Sequence, residues 1–326
     1  MGRPVYTSVF ANEINKYLDY KVSSGYKEKC YWYILKSFDR FSMERALDDV
    51  TDFTRDIAEE WTKRLDGEAS TTHYSRINIL KNFLIYVNKK GANVFIIRDI
   101  SFKKTEYQPH IYSEEEIKRY FDAVDTFDSN RNKKDKIQYP VLFRLLYCCG
   151  TRINETLSIC KRNIDLAEGI IKLTETKNGT ERYIVLGDDL LLLMRKFASK
   201  CFYLLNDDDC IFTSGNGGRL QGDAVYDRHR MFLMKAGISF IGNGEGPRIH
   251  DWRHTFSVYS FKRMLDSGMD MYVALPVLSA YLGHKTIFAT EQYVRLTMSM
   301  YPYIEIKFKE KLDEVFKNMG VGHEND

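Results

Sequence analysis

The sequence predicts a mainly α-helical chain with one small antiparallel β-sheet, organised as two domains. Three observations carry that expectation. Apolar residues recur at helical spacing through the first hundred positions, two short β-rich runs flank Lys177-Asn178-Gly179, and a polar stretch closed by a proline, Lys103 to Pro109, interrupts the pattern. A chain of 326 residues is long enough for two cores.

In the first domain, taken as residues 1–105, Phe10, Ile14, Tyr17 and Leu18 mark a first helix, with Thr7 or Ser8 as its cap. Tyr31 to Phe41 gives a second helix and Ile57 to Leu65 a third. Thr72 to Asn88 gives a fourth, with Ile77, Leu80, Phe83, Leu84 and Val87 on one face. Ser70-Thr71-Thr72 reads as its start and Gly91 as its stop. Residues 106–112 are the expected linker, and 113–326 the second domain. There Ser113 and Glu116, three apart, form a capping box. Pro140 to Cys149 reads as a buried helix ending at Gly150. Gly169 to Thr174 and Glu181 to Leu186 are two strands of a hairpin. Phe308, Leu312, Val315, Phe316 and Met319 predict a terminal amphipathic helix over about 303–319, suited to docking on its own domain or on a neighbour.

Bulk properties narrow the class. Hydrophobic content of 44% and charged content of 29% suit a soluble globular protein, and the apolar runs are too short to span a bilayer. The N-terminus has no apolar signal segment, and the six cysteines show no C-x-x-C spacing, so they read as reduced thiols of a cytoplasmic protein. Net charge is only +3; residues 1–105 carry 18 Lys+Arg against 14 Asp+Glu, the remainder 30 against 31. A mildly basic first domain suits a DNA partner and equally suits an ordinary helical domain.

The chemistry concentrates in three motifs: Gly150-Thr151-Arg152-Ile153-Asn154-Glu155, His250-Asp251-Trp252-Arg253-His254, and Leu282-Gly283-His284 followed nine residues later by Tyr293. Cleaving a phosphodiester by nucleophilic attack requires neutralised non-bridging oxygens, an activated nucleophile and a proton for the leaving oxygen. Arg152 and Arg253 supply permanently charged forks for the first task. Taken alone, Arg152 reads as a salt bridge to Glu155 on the same helix. His250 and Arg253, three apart, share a helix face and reach one phosphate. A phenol titrates near pH 10, so Tyr293 needs the help of His250, His284 and the arginines to act as a nucleophile. His250 and His254 also stand at the spacing of a zinc-protease helix, but the second position is Asp and no third ligand motif follows, so neither a metal nor a cofactor is expected and His254 reads as a packing residue.

In this order and spacing, Arg…His-x-x-Arg…Leu-Gly-His…Tyr resembles the tyrosine recombinase (phage integrase) family, strongly from about Ile111 to Pro302 and by general character before that. The resemblance implies a two-domain architecture of helical core-binding domain and catalytic domain. It also implies an active-site set of Arg152, Lys177, His250, Arg253, His284 and Tyr293, with Glu155 bracing the first arginine. Lys177, at the hairpin turn, is then the group that protonates the leaving 5′-oxygen. The expected function is site-specific DNA recombination through a 3′-phosphotyrosyl intermediate and a Holliday junction. Expected partners are double-stranded DNA sites, a homo-tetramer on two duplexes, and accessory DNA-bending or excision factors. The long segment from Asp266 to Tyr281, carrying Pro276, resembles the version in recombinases of mobile elements. On the first domain, Thr72, Arg76 and Lys81 form the best candidate DNA face, with Lys27 and Lys29 as further candidates. The chain starts at its first helix, so a separate arm-binding domain is not expected. Two alternatives stay open: a type IB topoisomerase using the same chemistry, and a DNA-binding protein with an inert site.

Overall fold

The structure, a computed structural model, describes residues 2–100, 108–128, 133–174, 181–239, 246–284, 290, 293, 295–297, 300 and 301. Two compact units divide the chain, Met1–Tyr107 and Gln108–Asp326.

The first unit is helical: α1 Ala11–Ser23, α2 Lys29–Glu44, α3 Arg55–Thr62 and α4 Ser70–Lys89. Its core is aromatic. Phe10, Phe38, Phe53 and Phe83 meet with ring centroids 5.0–6.2 Å apart, mostly edge to face. Neither Thr7 nor Ser8 caps α1 as expected; the N-cap is Phe10, and the Thr7 and Ser8 backbone N–H groups donate instead to the buried Asp39 carboxylate of α2. The third helix starts earlier and ends at Thr62, three residues short of Leu65, which is exposed. The fourth buries the predicted face and is followed by Gly91 at φ 98°.

In the second unit, α5 (Glu114–Asp125) opens with the predicted capping box: the Glu116 N–H donates to Ser113 Oγ at 3.2 Å, and the Ser113 N–H donates back to Glu116 at 2.9 Å. Then come α6 (Asp135–Cys148), α7 (Ile153–Leu157), a three-stranded antiparallel sheet, α8 (Asp188–Cys201), α9 (Gly222–Lys235), α10 (Asp251–Asp266) and α11 (Met271–Leu282). Helix α6 starts five residues before Pro140 and carries the proline inside its first half. The sheet order is β1 (Ile164–Asp165), β2 (Ile170–Leu173), β3 (Arg182–Val185), with Ile171 opposite Ile184 and Leu173 opposite Arg182. Strand β1 has only two residues, too few to show a period in sequence. The Lys177-Asn178-Gly179 turn and the expected helix 303–319 lie outside the described residues.

One stacking contact fixes α10 in the core. Trp252 lies flat on Tyr112, centroids 3.9 Å apart and planes 1° apart, while the Tyr112 N–H donates to Thr255 Oγ1 at 3.1 Å. Both partners are fully buried, so the helix that carries Arg253 has little freedom to rotate. Among the described residues, no helix is long and apolar enough to cross a membrane.

Candidate active site

Local structure explains how the motifs converge. Gly150 follows α6 with φ 58°, a conformation that glycine adopts without strain, and a Cβ there would collide with the Phe256 ring of α10. The chain therefore turns tightly, and Arg152 becomes the N-cap of α7. Gly283 does the same at the end of α11: φ is 67°, and its Cβ position lies 3.4 Å from the Arg182 side chain.

Arg253, 1% exposed, ties these two turns together. Its Nη1 donates to the Gly150 carbonyl at 2.6 Å, and its Nη2 donates to the Leu282 carbonyl at 2.7 Å and to His284 Nε2 at 3.1 Å. A guanidinium only donates, so His284 Nε2 accepts and Nδ1 carries the proton, donated to Thr290 Oγ1 at 2.8 Å. The neutral state fits its surroundings: burial first, then the charges of Arg253, Arg152 and Arg182, hold the His284 pKa down to about 4. Burial and the nearby Arg152 lower the Arg253 pKa to about 10, which leaves it charged at neutral pH.

The Tyr293 ring, 3% exposed, lies nearly parallel to His284 at 6.0 Å and 5.4 Å from His254. Nucleophile candidate, both histidines and Arg253 therefore form one contiguous group on a single chain. His254 was read as a packing residue. It is largely buried, yet it stands between His250, 4.9 Å away, and Tyr293. Burial, then His250, Arg253 and His284, push its pKa down to about 3. His250 is the exposed N-cap of α10, so it and Arg253 differ in environment although they are three apart. No group of three or more potential metal ligands occurs among the described residues.

The Glu155 carboxylate accepts from the Arg152 guanidinium at 2.7 Å and from the Arg152 N–H at 3.0 Å. Arg182 is the residue that sequence reasoning missed. From β3 it donates to the same carboxylate at 2.7 Å, its side chain is only 9% exposed, and its Nε and Nη1 have no partner among the described residues. A signal was present, because Arg182 shares a strand face with the buried Ile184 while Tyr183 and Val185 point outward. Burial works to raise the Glu155 pKa, but the bonds from Arg182 and Arg152 prevail and bring it to about 2. Two guanidinium groups thus share one carboxylate, while the charge of Arg253 acts on Arg152, Arg182 and Glu155 nearby. The cluster keeps a surplus of positive charge where an anion would be stabilised.

The candidate DNA face on the first unit needs a correction. Arg76 is buried and does not present its guanidinium at the surface. Its Nε and Nη2 donate to Glu68 at 2.8 and 3.0 Å, its other contacts are the Trp61 and Lys63 carbonyls, and it covers the Trp61 ring. Lys81 pairs with Asp99 at 2.6 Å. Thr72, Lys27 and Lys29 are exposed, and Lys177 lies outside the described residues.

Known proteins resemble this chain in sequence and in fold. The profile of the Phage integrase family matches residues 111–300. A putative integrase/recombinase, y4rB, of Sinorhizobium fredii is 25% identical over 307 residues, covering 88% of this chain and 93% of that protein. The tyrosine recombinase XerC of Staphylococcus saprophyticus is 24% identical, covering 83% and 92%. Among solved structures, XerH site-specific recombinase bound to difH substrate in a pre-cleavage complex superposes with a TM-score of 0.65 at 18% identity, covering 85% and 79%. The Tn1549 transposon integrase with circular-intermediate DNA gives 0.60 at 14%, covering 88% and 94%, and a lambda integrase tetramer on a Holliday junction gives 0.59 at 17%, covering 88% and 77%. The fold is that of these enzymes, and the chain belongs to the phage integrase family as a tyrosine-type site-specific DNA recombinase.

Proposed function

We propose that the Tyr293 hydroxyl attacks a DNA phosphodiester, forming the Tyr293 Oη–phosphorus bond and breaking the bond from phosphorus to the 5′-oxygen. The products are a 3′-phosphotyrosyl enzyme and a free 5′-hydroxyl. The phenol proton passes to a neutral imidazole of the His250, His254 and His284 group, and Lys177 gives a proton to the departing oxygen. Arg152 is the most accessible of the three guanidinium groups, with an 18% exposed side chain, and grips the non-bridging oxygens. Arg253, with two of its five N–H donors uncommitted among the described residues, shapes the pocket and adds charge. Bond energy is conserved in the phosphotyrosine, so reversal onto a partner strand needs no nucleotide cofactor.

The observation that carries this reading is the continuous contact from Arg253 through His284 to Tyr293. The solved relatives in complex with a Holliday junction and with transposon DNA support extending it to strand exchange by a tetramer and to integration or excision of a mobile element, with accessory bending or excision factors. The domain roles follow: residues 1–105 and the exposed Thr72, Lys27 and Lys29 close on DNA, residues 113–326 carry the chemistry, and the segment 303–319 joins protomers. A suicide DNA substrate that loses its 5′-hydroxyl fragment tests the reading. Wild-type protein is expected to accumulate a covalent adduct and Tyr293→Phe to bind without one; binding without adduct by both would leave an inert DNA-binding module.

A further inference from the structure

Outside the site just described, Cys160 and Cys210 stand directly opposite each other in an isolated antiparallel bridge. The flanking hydrogen bonds define its type: the Ile211 N–H donates to the Ile159 carbonyl at 3.0 Å, and the Lys161 N–H donates to the Asp209 carbonyl at 3.1 Å. The two cysteines therefore occupy a non-hydrogen-bonded pair, where Cα atoms approach to about 4.5 Å. That separation falls inside the range a disulfide spans without moving the backbone, about 4.4–6.8 Å. The Cys160 thiol donates to the Ser158 carbonyl at 3.6 Å. Both residues are free and partly exposed, whereas Cys149 and Cys201 are buried.

Access to the pair is shaped as well. Cys210 lines a cavity of about 740 Å³ together with Lys133, Lys134, Lys200 and Arg219. The aspartates at its wall, Asp208 and Asp209, are engaged by Arg162 and by Asn206 respectively. Cations around an open mouth favour a small anionic visitor. Arg219, in the wall of the same cavity, donates to the Asn154 carbonyl of α7 at 3.4 Å.

We propose that Cys160 and Cys210 are a thiol-modification site that a small anionic disulfide oxidises reversibly to an intramolecular disulfide. The Cys210 thiolate attacks one sulfur of the incoming disulfide, and the sulfur–sulfur bond breaks to release one thiol. The Cys160 thiolate then attacks the Cys210 sulfur of the mixed disulfide and releases the second thiol. One small disulfide is thereby reduced to two thiols while the two protein thiols are oxidised, with no other reactant. Bridging positions 160 and 210 closes a long loop containing the whole β2–β3 hairpin, which restricts the unfolded chain.

The test uses the full chain incubated with glutathione disulfide, followed by thiol counting and non-reducing peptide mapping. The expected result is a fall from six free thiols to four or fewer, one cross-linked peptide joining Cys160 to Cys210, and return to the starting state with a reductant. Melting temperature of the oxidised form should rise by about 5 °C or more. In Cys160→Ser the second step is blocked, so glutathione should remain on Cys210. Lys200→Gln should slow exchange with glutathione disulfide by roughly threefold while leaving exchange with neutral 2-hydroxyethyl disulfide within about twofold. Modification of only Cys30 and Cys148, or a bridge from Cys210 to Cys201, would overturn the assignment.

Discussion

Glu155 and Arg182 are joined at 2.7 Å across 27 positions of sequence, linking the start of β3 to the helix that Arg152 caps. The contact gives the first arginine a rigid base, since one carboxylate holds both guanidinium groups. Arg182 also lies beside the turn that precedes His284, where a Cβ at Gly283 would stand 3.4 Å from its side chain.

Removing that strut should weaken both the fold and the chemistry. Arg182→Met is expected to lower stability by about 3 kcal/mol, because Glu155 then keeps its burial with one partner fewer. Adduct formation on a suicide substrate should fall by roughly tenfold or more, the scale of losing one preorganised charge. Arg182→Lys retains the charge and should recover part of both. Urea denaturation and a quenched cleavage time course read the two effects separately; wild-type cleavage by Arg182→Met would show the contact to be dispensable.

Stability should decline from neutral pH downward in two stages. His284 and His254 are harder to protonate folded, with pKa values of about 4 and 3, than unfolded, near 6.5. Between those limits the unfolded chain binds more protons, so stability drops as pH falls below about 6.5. Glu155 adds to the loss at lower pH: its folded pKa of about 2 lies below the unfolded value, so its contribution is full above about 4.5 and disappears toward 2. Urea midpoints measured from pH 7.5 to 4 check the first stage. A constant midpoint across that span would contradict the buried neutral histidines.

Two cationic residues on the first unit should respond in opposite ways. Arg76→Ala removes the charged partner of Glu68 and a donor to two carbonyls, and a stability loss of about 3–5 kcal/mol is expected. Lys29 is exposed, so Lys29→Gln should leave stability within about 0.5 kcal/mol while weakening DNA binding and lowering the salt slope by about 1. Thermal melts and DNA titrations at several salt concentrations distinguish the pair. Equal salt slopes for Lys29→Gln and wild type would remove Lys29 from the interface.

Much of this was legible in the sequence because it is local. The capping box of Ser113 and Glu116 and the Arg152–Glu155 pair each lie three residues apart, and the Leu-Gly-His turn announces itself by its glycine. What was hidden depends on distant partners. Arg76 looks like a surface residue at a helix start until Glu68 and the Trp61 carbonyl close over it. His254 looks like packing until Tyr293 arrives from 39 positions downstream. Arg182 shows only as a basic residue on the buried face of a four-residue strand. The end of α3 at Thr62 and the start of α6 at Asp135 do not coincide with the ends of the apolar period, which marks a buried face and not a helix terminus.

The most direct measurement is the identity of the residue bonded to DNA. Protein trapped on a suicide substrate would be digested with protease and nuclease, and the peptide bearing a nucleotide remnant sequenced by mass spectrometry. The account predicts a single modified peptide with the remnant on Tyr293, absent from Tyr293→Phe protein. A remnant on any other of the 22 tyrosines, or an adduct that survives in Tyr293→Phe, would contradict it.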